Sequence, residues 1–215
     1  MQQNEVSIYY LAVMSLIIFS SSALCSDKSF QVKREMKSGN TKWTSMFDID
    51  ISKREILIHM KISLLPTPTV NRVLLEKNIL SWGDAIDSVW NKYFFVIIEG
   101  EKIPIIFKIK FTHFKPHHRV VIHSAGWAPN QHNWYINMPP KVVAHEIGHM
   151  LGAYDEYRGG ALSYKKPVID TSSIMGSKLS ASQAYPRHLA LLEHELVNYF
   201  ENNQLKVVRV TGISI

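Results

Sequence analysis

Apolar positions along the chain follow two periods, and the switches between them mark out its elements. Over 55–64, Ile56, Ile58, Met60, Ile62 and Leu64 alternate with mostly polar residues, as a strand with one buried face requires. Pro66 and Pro68 end that strand. From 71 to 92 the spacing lengthens: Leu75, Ile79, Trp82, Ile86, Val89 and Tyr93 recur at threes and fours, which predicts a long helix whose aromatic stripe is core. Gly83 weakens its middle without breaking the pattern. Alternation returns in 94–99 and 103–111, which flank Gly100-Glu101-Lys102 as the arms of a hairpin. Shorter strands are expected at 47–51, 118–123 and 134–136, and a last one at 207–215. An amphipathic helix is expected over 184–202, with Leu189, Leu192, Leu196 and Phe200 on one face. His59, His117 and His118 read as histidines on solvated positions, and 26–42 as a polar, partly ordered lead-in.

At 215 residues, 46% hydrophobic and 20% charged, the chain has the make-up of one folded domain, with no internal repeat. Its first 25 residues differ. The run 8–18 is almost wholly apolar, and Ser20-Ser21-Ser22-Ala23-Leu24-Cys25 follows it. This reads as a secretory signal peptide over 1–25, cleaved after Ala23 or Cys25, with domain 26–215 behind it. The flanks lack Lys and Arg, which leaves an uncleaved anchor as the alternative. The signal reading predicts a secreted or periplasmic monomer with no stable membrane association after cleavage. Cys25 is the only cysteine, so no intramolecular disulfide forms, and stability must come from the core. The formal charge is +6, but the basic residues are scattered and not interleaved with aromatics. That pattern argues against a nucleic-acid partner.

The most specific chemistry lies in 142–157, VVAHEIGHMLGAYDEY, which Pro139-Pro140 open as a helix. His145 and His149 are four apart, so on a helix their imidazoles share a face and can hold one metal ion. Glu146 is placed to reach a metal-bound water without being a ligand. Gly152 can adopt a left-handed backbone, end the helix and return the chain. Asp155 then falls where a third ligand is needed, and three protein ligands plus a water make up a catalytic zinc site.

This HExxHxxGxxD pattern resembles the extended zinc signature of the metzincin clan of metallopeptidases. Most clan members carry histidine at the last position; aspartate there resembles snapalysin-like enzymes. Ser172-Ser173-Ile174-Met175-Gly176 resembles the clan's Met-turn, in which a methionine packs under the metal. The resemblance spans roughly 55–202, and its two motifs are the specific part. It implies an α+β fold: a single domain with a twisted mixed sheet, a long backing helix, a zinc-binding helix, the Met-turn and a C-terminal helix. The implied activity is zinc-dependent hydrolysis of a protein or peptide substrate, with Zn2+ on His145, His149 and Asp155 and with Glu146 as general base. Tyr157, Tyr185 and His188 are candidate donors to the oxyanion. Glu156 reads as a solvated acid, with a place in a supporting shell or a calcium site as the alternatives, and Asp170 has no assigned role. Two alternatives stay open: a zinc hydrolase acting on a non-protein amide such as a cell-wall peptide, and a degenerate member that only binds.

Overall fold

The computed structural model describes residues 28–91, 93–126, 129–178, 180 and 182–210. The expected signal peptide and the final residues 211–215 lie outside these. In chain order the elements are β1 (Lys28–Ser38), β2 (Thr41–Ile51), β3 (Ile56–Pro66), α1 (Arg72–Trp90), β4 (Phe94–Ile98), β5 (Glu101–Phe111), β6 (His118–His123), β7 (Asn133–Tyr135), α2 (Pro140–Met150), α3 (Ala190–Phe200) and β8 (Lys206–Arg209). A 3₁₀ turn, Pro186–Leu189, leads into α3. The fold is α+β. No helix among the described residues is long and apolar enough to cross a membrane.

The sheet is mixed, in the order β1-β2-β3-β5-β4-β8, with β6 and β7 branching from β3. β5 and β6 run parallel to β3, and β7 runs parallel to β6. The other pairs are antiparallel. Thr112 N–H donates to Ile62 O, while His117 N–H donates to the neighbouring Lys61 O. Successive carbonyls of a strand point to opposite edges. β6 therefore lies on the edge away from β5, where it continues the line that β2 occupies beside Ile56 to His59.

The alternation in β3 does what its spacing requires: Ile56, Ile58, Met60 and Ile62 are fully buried. α1 lies over this face and begins at Asn71, whose side chain accepts the Leu74 N–H. Its far end is tied to β5 by Asn91, which donates to Phe107 O and accepts the Phe107 N–H. Trp82 and Trp90, both fully buried, donate their indole N–H groups to Met138 O and Ala144 O. The aromatic stripe is thus core, as its spacing predicts, and it also sets the start of α2.

Several expectations are corrected. Of the expected lead-in, the described residues 28–42 are not loose, because β1 and β2 pair along all eleven residues of each around a turn at Gly39. His117 and His118 are not solvated. The His117 side chain is 4% exposed, accepts the Lys61 N–H and lies 3.1 Å from Asp48. His118 is buried, with Nε2 2.9 Å from Met46 O. His59 stays partly open and meets Asp50 at 2.9 Å. The expected 184–202 helix starts as the 3₁₀ turn, and its α-helical part begins only at Ala190.

Candidate metal centre

α2 starts at Pro140, and nearly its whole circumference is buried: Val143, Ala144, Glu146, Ile147, Gly148, His149 and Met150. The chain leaves it at Gly152, where φ is +95° and a β-carbon would meet the Leu191 side chain at 2.7 Å. Glycine is required there both for backbone freedom and for space. The turn brings Asp155 back against the helix, where one donor each from His145, His149 and Asp155 lies within 4.8 Å of the others. Asp155 Oδ1 is 3.2 Å from His145 Nε2 and 3.3 Å from His149 Nε2. Three residues predicted to share a metal are brought together.

Hydrogen bonds fix the protons on the rings. His145 Nδ1 lies 2.8 Å from Ile174 O, and His149 Nδ1 lies 2.9 Å from Ala153 O. A carbonyl only accepts, so each Nδ1 carries a hydrogen, and each Nε2 is turned toward Asp155, where it can bind a metal ion or carry a proton. Asp155 Oδ1 is buried without a hydrogen-bond partner. Two Nε2 atoms and a carboxylate oxygen therefore converge, and a metal ion can join them in place of the protons that would otherwise pair the rings with the carboxylate. A metal ion fits this donor set, since backbone carbonyls orient both imidazoles as partners outside a metal's ligand shell usually do. Burial pulls His149 down, but the adjacent Asp155 carboxylate outweighs it and leaves the ring more basic than usual. Asp155 is held well below the usual carboxylate range: burial opposes this, and the two imidazoles prevail.

Asp155 is wrapped from its other side. Oδ2 accepts the Ala161 N–H at 2.5 Å, and the Asp155 N–H donates to Ala161 O. A β-carbon at Gly160 would lie 2.6 Å from Oδ2, so this glycine is needed for the loop to close on the carboxylate. Beneath the helix, Met175 is fully buried, and its sulfur would clash with any β-carbon added at Gly148. The open end of α2 is held by β2: Trp43 donates to His149 O at 2.9 Å, and Ser45 donates to Met150 O at 2.7 Å.

Glu146 is 4% exposed, its Oε2 has no hydrogen-bond partner, and burial pushes its carboxyl above the usual range. Of the three candidate oxyanion donors, only Tyr157 stands at the centre. Its ring centroid is 6.5 Å from that of His145. Burial and the Asp155 charge push the phenol up to about 12, so it stays a donor. His188 is buried, with Nδ1 accepting the Tyr185 N–H. The Tyr185 ring is covered by Arg187 at 4.1 Å.

Glu156 is not a solvated acid. It is buried and bonded to Arg187 and Ser173, and Arg187 also reaches Asp170. Sequence reasoning missed Trp43, Gly160, Ala161, Ser173 and Arg187. The Gly159-Gly160 pair was the one visible signal, and it reads as loop until Asp155 is seen beneath it. No protein-family model, curated protein or solved structure matches this chain.

Proposed function

We propose that this protein is a secreted zinc-dependent endopeptidase of metzincin type. The observation that carries the reading is the convergence of the His145 and His149 Nε2 atoms with Asp155 Oδ1, beside the buried carboxylate of Glu146. Met175 beneath Gly148, with the Ile174 carbonyl on His145, supports the Met-turn reading of the 172–176 segment. A bound zinc ion supplies Lewis-acid polarisation of water and of the substrate carbonyl. Glu146 takes the proton of the attacking water and returns it to the leaving amine nitrogen. Its buried setting keeps bulk water from competing for that proton. The Tyr157 hydroxyl donates to negative charge developing on the substrate oxygen, a role suited to a phenol that does not ionise near neutrality.

The test is Glu146→Gln in protein purified with zinc. The variant is expected to hold close to one zinc per chain, as the wild type does. Hydrolysis of casein should fall by about 10²–10⁴-fold, the usual contribution of a positioned general base. Wild-type cleavage by the variant, or cleavage by the parent that survives full chelation, overturns the proposal.

A further inference from the structure

Glu156 follows Asp155 in the chain, yet its carboxylate turns away from the metal donors into a joint of its own. Arg187 donates Nε to Oε1 at 2.6 Å and Nη2 to Oε2 at 2.9 Å, a two-pronged grip. Ser173 Oγ donates to Oε2 at 2.5 Å, and His188 Nε2 lies 3.2 Å from Oε1. Nη2 of Arg187 also donates to Asp170 Oδ2 at 2.8 Å.

The main chain runs through the same joint. Glu156 N–H donates to Met175 O at 2.8 Å, and Asp170 N–H donates to Glu156 O at 2.9 Å. The 170–175 segment that it clamps supplies the Ile174 carbonyl, which orients the His145 ring. Asp155 is attached to the joint by one peptide bond. His149 is oriented separately, through Ala153 in its own turn. Two of the three donors are therefore attached to this joint, in which the carboxylate–guanidinium contact is the forked element. A buried ion pair is a weak stabiliser, because desolvation offsets most of its attraction. What a forked contact does supply is direction.

We infer that Glu156 and Arg187 are a positioning pair that sets the metal affinity of the centre by fixing Asp155 and the His145 ring. The inference rests on the metal-centre reading above. Neither residue touches the ion, so stoichiometry is unaffected and affinity carries the signal.

The experiment measures zinc affinity, by competition with a chromophoric chelator, for full-length wild type, Arg187→Met, Arg187→Lys, Glu156→Gln and His145→Ala. Val96→Ala, in the fully buried core of β4, serves as a control destabilised away from the site. Arg187→Met is expected to bind one zinc about 10- to 100-fold more weakly, the range for loss of a partner that orients a ligand. Arg187→Lys, which keeps the cation but not the fork, should fall between it and wild type. The visible spectrum of the cobalt(II)-loaded Arg187→Met protein should shift, because the donor geometry relaxes. Val96→Ala should melt earlier yet bind zinc as wild type does.

Unchanged affinity in Arg187→Met, or in Arg187→Lys and Glu156→Gln should the methionine variant not fold, overturns the inference. An equal loss of affinity in Val96→Ala overturns it too, since affinity would then merely follow stability. Failure of the metal reading looks different: wild type and His145→Ala would bind zinc equally poorly.

Discussion

Asp155 divides its work between its two oxygens. Oδ2 takes the Ala161 N–H, and Oδ1 faces the Nε2 atoms of two imidazoles. Asp155→Asn keeps the shape but reverses this logic. Its amide oxygen must face Ala161, which turns the NH2 group toward the two Nε2 atoms. At a pH where both rings are neutral, the metal-free variant gains hydrogen bonds where the wild type opposes three acceptors, while the metal loses its charged ligand. Zinc affinity should fall by more than about 100-fold, beyond the loss of any merely supporting partner. The chelated variant should melt no lower than chelated wild type. Retained zinc affinity in calorimetric titration would mean that Asp155 is not a ligand. His145, Glu146, His149 and Asp155 were legible in the sequence because one helix and one glycine turn fix their relation locally. Glu156 and Arg187, 31 residues apart, were not: their pairing depends on where α3 returns to the motif.

The hairpin of β1 and β2 shows what period reading misses. β1 buries Val32 and leaves most other side chains exposed, so its sequence KSFQVKREMKS carries no clear alternation. Its pairing with β2 and outlying contacts, such as Phe30 stacked on Tyr199 at 5.0 Å and Arg34 on Glu195 at 2.7 Å, hold it in place. By contrast, β3 and α1 each bury a full face, and their sequences announce them. Because β2 carries Trp43 and Ser45 to the end of α2, the hairpin belongs to the support of the metal helix. Trp43→Phe removes the indole N–H from His149 O while leaving an aromatic ring in the buried slot. That carbonyl keeps the Gly152 N–H, so the loss is one hydrogen bond, about 0.5–1.5 kcal/mol in urea denaturation. A variant as stable as wild type would show that the indole bond contributes nothing net.

At the scale of the whole molecule, β2 and β6 follow one another along one edge of β3, and buried histidines sit at the junction. His118 places Nε2 2.9 Å from Met46 O, and His117 accepts the Lys61 N–H, which requires its ring to be neutral. Burial lowers both, His118 from 6.5 to about 4. For a histidine lowered in this way, the unfolded chain binds the proton first. The neutral ring's contribution is intact above pH 6.5, is lost as pH falls toward 4, and loses nothing further below that. Glu156 has the opposite character: burial raises it, Arg187 and its other partners lower it more, and it settles at about 2. Its contribution is intact above its ordinary value of 4.5 and is lost as pH falls from there toward 2. For His118 the loss between pH 6.5 and 4 amounts to roughly 3 kcal/mol, because a tenfold change in proton affinity corresponds to about 1.36 kcal/mol. His118→Gln keeps a donor for the Met46 carbonyl but cannot titrate. Urea midpoints of chelated protein, measured at intervals from about pH 7.5 to 3, should fall more steeply above pH 4 for wild type than for His118→Gln. Below pH 4 the two curves should run parallel, because only carboxylates such as Glu156 still change. Equal slopes between pH 6.5 and 4 would show that His118 is already protonated in the fold, and the neutral junction would be wrong.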